Sequence, residues 1–228
     1  MKIGILGTGM VGRTLADRLA GLGHDVQMGT RSPAETMART APDPTMGTPG
    51  FATWHKDHQG VKLVRFEEAA RHGELVMNAS AGRATIEILS AIGQGPLANK
   101  TLIDISNSLD FSKGMPPTLL VSNTDSLGEQ VQRLLPQTRV VKTLNTVNAE
   151  LMVRPATLAK GEHTLFLSGD DDAAKAQVRT LLCEGFGWTD VIDLGGIRTA
   201  RGTEMYLPLW ISLWTALKTP SFSVRVVR

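Results

Sequence analysis

The chain holds a single cysteine in 228 residues. An internal disulfide is excluded, and Cys183, set among apolar helical residues, reads as a buried structural thiol with no assigned chemistry. Charge of one sign is also lacking, since 24 Lys and Arg against 22 Asp and Glu leave a net charge of +2 with the two signs interspersed. No basic patch marks a nucleic-acid partner. The longest apolar stretch, MYLPLWISLWTAL at 205–217, is too short to span a bilayer, so no membrane partner is expected. An apolar strand begins at residue 2 or 3, which leaves no room for a signal peptide; the expected setting is soluble and cytoplasmic. Metal-ligand spacing is missing too. Trp54, His55, Asp57 and His58 crowd together, but these two histidines are separated in a Gly/Pro-flanked segment with no third ligand at a recognisable spacing, and a solvated loop is expected there. His24, His72 and His163 stand singly at turns or strand starts.

What the chain does have is an informative opening, MKIGILGTGMVG. An apolar strand (Ile3, Ile5, Leu6) runs into Gly7, Gly9 and Gly12, and a helical stripe follows with Leu15, Leu19 and Leu22. Strand, GxGxxG and helix in that order form the dinucleotide-binding fingerprint. Gly7 allows the tight turn, Gly9 lets backbone approach the pyrophosphate, and Gly12 lets helix and strand pack closely. Thr8, Met10 and Val11 complete the loop, and near Met10 and Val11 the orphan N–H groups of the helix start attract an anion without a basic side chain.

The end of the second strand selects the dinucleotide. An NAD site carries Asp or Glu there for the ribose 2′-hydroxyl, and an NADP site carries Arg with small donors. The strand HDVQMGTRS places Asp25 at its start, too early to reach the ribose, and Thr30, Arg31 and Ser32 at its end. Hydroxyls and a guanidinium suit a 2′-phosphate dianion, so NADP(H) is expected.

Farther on, VKLVRF, ELVMNAS, TLIDIS and RVVKTL are short apolar runs between helix-like stretches, the pattern of βαβ units and a parallel sheet. The expected fold is a Rossmann-type doubly wound parallel α/β sheet with a small C-terminal α/β extension. A dinucleotide-binding domain over 1–150 would be followed by an extension over 151–228 that completes the acceptor site and forms a dimer interface. In the extension EHTLFLSG, the helix around residues 171–187, DVIDLGG, the helix around 203–218 and a closing strand FSVRVV at 222–227 are expected. Residues 32–60, rich in Pro, Gly, Thr and Asp, read as a long loop.

The segments GTGMVG, GTRS, LIDISNSLD, VVKTLNTVNAELM, FLSGDD and TEMYLPLW, in this order, resemble the NADP-dependent oxidoreductases of the coenzyme F-420-dependent family. They are similar as well to the soluble reductase domain of six-transmembrane metalloreductases. The resemblance covers nearly the whole chain and implies hydride transfer between NADPH and a deazaflavin (F-420) or a flavin such as FMN or FAD. That reaction needs two stacked rings with reacting atoms about 3 to 3.5 Å apart and little else. No catalytic side chain is therefore required. The resemblance also places the nicotinamide and the stacked ring at the loop 145–149, with Val147 and Ala149 as ring contacts and Asn145 bonding backbone to hold the loop.

Ligands bind outside the carboxyl ends of parallel strands. Ala79, Ser80 and Ala81 follow one such strand and let a cofactor approach, or simply form a tight loop. Ser106 and Asn107 follow another, as contacts to the nicotinamide ribose or amide or as turn formers. Arg198 and Arg201 could meet an anionic tail or stand as exposed arginines. Two departures from the family pattern stand out. After Arg31 come Ser32, Pro33, Ala34 and Glu35 rather than another base, which implies a modest preference for NADP. Ala79-Ser80-Ala81 replaces the Pro and bulkier side chain frequent in relatives, which alters the pocket wall.

Two other functions fit a nucleotide-binding chain: NADPH-dependent reduction of a small carbonyl or imine, and a non-catalytic NADP(H) sensor. The first needs a proton donor near the acceptor, and Ser80, Asn107, Asn145 and the lone Tyr206 are poor candidates. The apolar helix with Met205, Leu209, Ile211, Leu213, Trp214 and Leu217 exceeds what a surface stripe requires, and a homodimer is expected.

Overall fold

The structure, a computed structural model, describes residues 1–43 and 47–228. β1 (Lys2–Leu6), α1 (Met10–Gly21) and β2 (Asp25–Thr30) form the first βαβ unit. α2 (Pro33–Met37), α3 (Phe51–Lys56), β3 (Lys62–Arg65), α4 (Phe66–His72), β4 (Leu75–Asn78), α5 (Gly82–Ile92) and β5 (Thr101–Asp104) follow. A small antiparallel hairpin, β6 (Leu109–Asp110) and β7 (Thr118–Leu119), leads to α6 (Leu127–Leu134), β8 (Arg139–Thr143) and α7 (Ala149–Val153). β9 (Thr164–Gly169), α8 (Asp172–Thr180), a π-helical turn over Leu181–Phe186, β10 (Asp190–Asp193), α9 (Ala200–Met205) and α10 (Leu207–Leu217) complete the chain.

Among the described residues, eight strands make one sheet in the order β10-β9-β8-β5-β4-β1-β2-β3. Six run parallel from β3 to β8, while β9 joins β8 antiparallel and pairs parallel with β10. The strand alternation explains the two cores. Ile3, Ile5, Met77, Ile103 and Val141 face one helical layer with Leu15 and Leu19 of α1, and Leu6, Val76, Leu102 and Val140 face the other with Leu89 of α5 and Val131 of α6. A sheet buried on both faces reads as continuous apolar strands, as β1 and β4 do.

Three expectations change. The closing strand at 222–227 does not form. β9 is paired on both sides, and only where β8 has ended does the terminal segment lie beside it, with the Thr164 N–H donating to Val224 O at 2.8 Å. The segment 32–60 is not wholly loop, because Ser32 caps α2 and Phe51, 3 % exposed, anchors α3 in the core; residues 44–46 lie outside the described ones. Nor is the Trp54–His58 cluster solvated. The His58 ring stacks on Trp54 at 4.2 Å and its Nε2 lies 3.2 Å from Asp17, and no group of metal-ligating side chains occurs among the described residues. No described helix is long and apolar enough to cross a membrane.

Candidate active site

Six parallel strands deliver their carboxyl ends to one edge of the sheet, and the glycine turn sits there. Gly7 has φ +126°, a conformation that strains any side chain, and its N–H donates to Gly29 O at 3.0 Å. A Cβ on Gly12 would collide with the Gly7 carbonyl, so α1 packs onto the turn as closely as backbone permits. Gly9, the residue before α1, is different: nothing lies within 4 Å of where its Cβ would be. Its open face adjoins the unpaired N–H groups of the first helical turn, with Met10 exposed and Val11 at the mouth of a cavity. Thr8 is half-buried between them. An anion fits this cradle, and a pyrophosphate is the group such a cradle holds.

At the end of β2 the Thr30 hydroxyl is buried and lies 2.9 Å from that of Thr36, tying the strand to α2. Ser32 accepts from the Glu35 N–H as the cap of α2. Arg31 is exposed and bonds Glu87 of α5 at 3.1 Å.

Across the middle of the sheet runs a polar row. The registers place Asn78 beside Asp104 and Asp104 beside Lys142, all three on the face that carries Val76, Leu102 and Val140 two residues earlier. Asn78 Nδ2 donates to Asp104 Oδ1 at 2.8 Å, and Lys142 Nζ lies 2.9 Å from Asp104 Oδ2 and 2.8 Å from Glu204 Oε1. Glu204, on α9, accepts the N–H groups of Leu127 and Gly128 at 2.8 and 2.9 Å and so neutralises the start of α6. Burial alone pulls the Lys142 pKa down, but the two carboxylates outweigh it and the net displacement is upward. The lysine stays charged inside the protein.

The row reaches the cleft through two serines. Ser106 donates to Asp104 Oδ1 at 2.7 Å, and Ser80 donates to Asn78 Oδ1 at 2.6 Å and lies 3.0 Å from the Thr85 hydroxyl. Both line a cavity of about 680 Å³ together with Val11, Ala79, Asn107 and Phe111. A Cβ on Gly82 would strike the Asn107 carbonyl, so α5 starts hard against this wall.

Beyond β8, Leu144 takes the left-handed conformation at φ 64° while fully buried, which for a non-glycine costs about 1–2 kcal/mol. The turn aims Asn145 at Asn107: its Nδ2 donates to Asn107 Oδ1 and to Thr203 O at 3.1 Å each, and Asn107 Nδ2 returns a bond to Asn145 O at 3.0 Å. Asn145 thus holds backbone. Val147 and Ala149, 6 % and 7 % exposed, are turned under cover where Asn148 caps α7, and neither is among the cavity-lining residues. The structure brings Val11, Ala79, Ser80, Ala81, Ser106 and Asn107 to one cavity, with Gly9 outside its lining and Val147 and Ala149 buried. Arg201 is bound to Glu129 through two bonds of 2.8 and 2.6 Å, and Arg198 is exposed. Lys142, Glu204 and Gly82 are not among the residues that the sequence singles out; the signal for the first is a lysine directly after Val140 and Val141 in β8.

The model of the family described as NADP oxidoreductase, coenzyme F420-dependent, matches residues 2–108. A protein from Arthrobacter sp. FB24 whose crystal structure carries the provisional description F420-dependent NADP reductase is 55 % identical, with a TM-score of 0.95 over 100 % of both chains. Metalloreductase STEAP3 of Rattus norvegicus is 28 % identical over 213 residues, which are 92 % of this chain and 38 % of that longer protein. An imine reductase of Streptomyces aurantiacus shares the fold, with 19 % identity, a TM-score of 0.59, and coverage of 96 % of this chain and 63 % of that one. The open cradle at Gly9, the Arg31 turn and these likenesses agree, and the chain belongs to the coenzyme F420-dependent family of NADP oxidoreductases.

Proposed function

We propose that this chain transfers hydride between NADP(H) and a flat-ring acceptor of the deazaflavin or flavin type. One observation carries the choice of acceptor: the cavity beside the glycine turn has walls suited to rings and, among its described lining residues, no side chain with the acidity of a general acid at neutral pH. Val11, Ile105, Leu109, Phe111 and Leu120 supply apolar surface, and Arg83 and Asp110 are its titratable lining groups. The Asp110 carboxylate accepts from the Ser112 backbone N–H and hydroxyl at 2.9 Å each, which holds its pKa below the ordinary range. An acid kept ionised donates no proton at neutral pH. Tyr206 lies elsewhere, lining a separate cavity with Phe166 and Leu194, and burial raises its pKa. Carbonyl or imine reduction requires a proton at the acceptor; transfer between two rings does not require one from the protein.

In this reading the first turn of α1 holds the pyrophosphate, Arg31 the 2′-phosphate, and Ser80, Ser106 and Asn107 the wall against the nicotinamide half. When bound, NADPH supplies the hydride. The protein's part is orientation: Lys142 and Asp104 fix the strand ends from below, and the Asn107–Asn145 pair fixes the wall above them. Phe111 and Leu120, 56 % and 53 % exposed, stand ready to cover an acceptor ring and shed water. Met205, Leu209 and Leu217 are also exposed, which supports a homodimer through the C-terminal helices; molar mass in solution checks it.

The test incubates the protein with NADPH and, in separate reactions, coenzyme F-420, FMN, FAD and a carbonyl and imine panel, following nicotinamide oxidation. Oxidation with a flavin-like ring is expected. Turnover restricted to carbonyls or imines overturns the reading, and tight NADPH binding without any turnover favours a sensor.

A further inference from the structure

The phosphate end of the cleft holds a second cation that lies far from Arg31 in sequence. β2 and β3 pair in parallel with Thr30 opposite Arg65, so the carboxyl ends of both strands present an arginine at the same edge, Arg31 one residue beyond β2 and Arg65 closing β3. Between them opens a hollow of about 190 Å³ whose walls include Thr30, Arg31, Arg65, Phe66, Glu67 and Glu87.

The acids around this hollow are already engaged. Glu67 bonds Arg71 at 2.6 Å, Glu68 accepts the Arg65 backbone N–H at 2.7 Å, and Glu87 holds Arg31 at 3.1 Å. Arg65 is exposed, and its guanidinium forms no ion pair among the described residues. Arg65 is therefore the guanidinium of the hollow that no carboxylate holds in an ion pair among the described residues, while Arg31 is held by Glu87.

We propose that Arg65 is a specificity-determining residue of the NADP(H) site, closing on the ribose 2′-phosphate from the β3 side while Arg31 closes from the β2 side. The inference rests on the reading of this cleft as an NADP(H) site. Two guanidinium forks from adjacent strands match a dianion with three terminal oxygens, and a neutral 2′-hydroxyl offers them nothing comparable. Glu87 holds Arg31 over the hollow in the free protein. That pair has 73 % and 74 % of its side chains exposed, so it is cheaply broken and the phosphate replaces it. The base absent from positions 32–35 is thus supplied by the neighbouring strand.

Calorimetric titration of wild type, R65A, R65Q, E87Q and the R31A/R65A double variant with NADPH, NADH, 2′-AMP and 5′-AMP tests this. R65A and R65Q are expected to weaken NADPH and 2′-AMP about tenfold and to leave NADH and 5′-AMP within about twofold. The double variant binds NADPH and NADH alike, and E87Q tightens NADPH about threefold. Equal losses for both dinucleotides, or no loss in R65A and R65Q proteins that melt as wild type does, overturn the clamp and leave the NADP(H) reading standing. A wild type with no preference for NADPH overturns both.

Discussion

At the β2–β3 end of the cleft, Arg31 and Glu87 meet at 3.1 Å with 73 % and 74 % of their side chains exposed. At the β5–β8 end, Lys142 meets Asp104 and Glu204 at 2.9 and 2.8 Å with at most 2 % exposed. The first pair is solvated, weak and exchangeable, which suits groups that must release one another when a phosphate arrives. The second is desolvated, so removing one member leaves buried charge that nothing else answers. In the proposed NADP(H) site, position on the sheet separates the charge assigned to the ligand from the charge that fixes the strand ends.

The sharpest way to break the comparison is Lys142→Met, which strands two buried carboxylates. A loss of about 3–5 kcal/mol is expected in urea denaturation, and a loss under 1 kcal/mol would mean that the row is not what holds β5, β8 and α9 together. Gly9→Val and Gly12→Ala come next and separate binding from folding. The Cβ position of Gly9 is open, so Gly9→Val should keep the melting temperature yet weaken NADPH about a hundredfold, near 2.7 kcal/mol. Gly12→Ala must push against the Gly7 carbonyl and should lower stability instead; similar melting of both variants would contradict that contrast. Arg31→Ala should weaken NADPH about tenfold with NADH nearly unchanged, and equal losses in titration would remove its assigned role.

The smallest effect lies at Asp125. Its bonds to Arg133, at 3.0 and 2.7 Å, are the main reason its pKa falls to about 2. A carboxylate lowered in the folded state stabilises above its unfolded pKa, and that stabilisation fades as pH drops through about 2. Asp125→Asn should therefore cost less than about 1 kcal/mol at pH 7, since Arg133 is 59 % exposed, and the difference from wild type should vanish in acid-denaturation curves near pH 2.

The strand-glycine-helix opening was legible because every element of it is local: the period of β1, the spacing of Gly7, Gly9 and Gly12, and the stripe of α1 lie within one short stretch. Arg31 was legible for the same reason. Arg65 was not, because its partner Thr30 is set by strand register across the segment that holds α2 and α3. Lys142 follows Val140 and Val141 in β8, and its meaning depends on Asp104 and Glu204, brought in from other elements. FSVRVV at 222–227 has a strand's alternation, but β8 holds that edge of β9 from Leu167 to Gly169 and β10 holds the other from Thr164 to Leu167. The terminal segment therefore meets β9 only at Thr164, through the Thr164 N–H to Val224 O and the Val226 N–H to the Thr164 hydroxyl. The resemblance assigns Val147 and Ala149 to the ring site; both are buried beside the Asn148 cap of α7, a burial that the local sequence does not signal.

The tie between Lys142 and Glu204 also bears on how the chain is made. During synthesis Lys142 leaves the ribosome long before Glu204 does, with only Asp104 to meet it, and the start of α6 waits for the same carboxylate. A nascent chain ending shortly after β8 would carry a half-answered charge at its centre. The sheet from β1 to β8 should therefore commit to its final packing late, when α9 arrives.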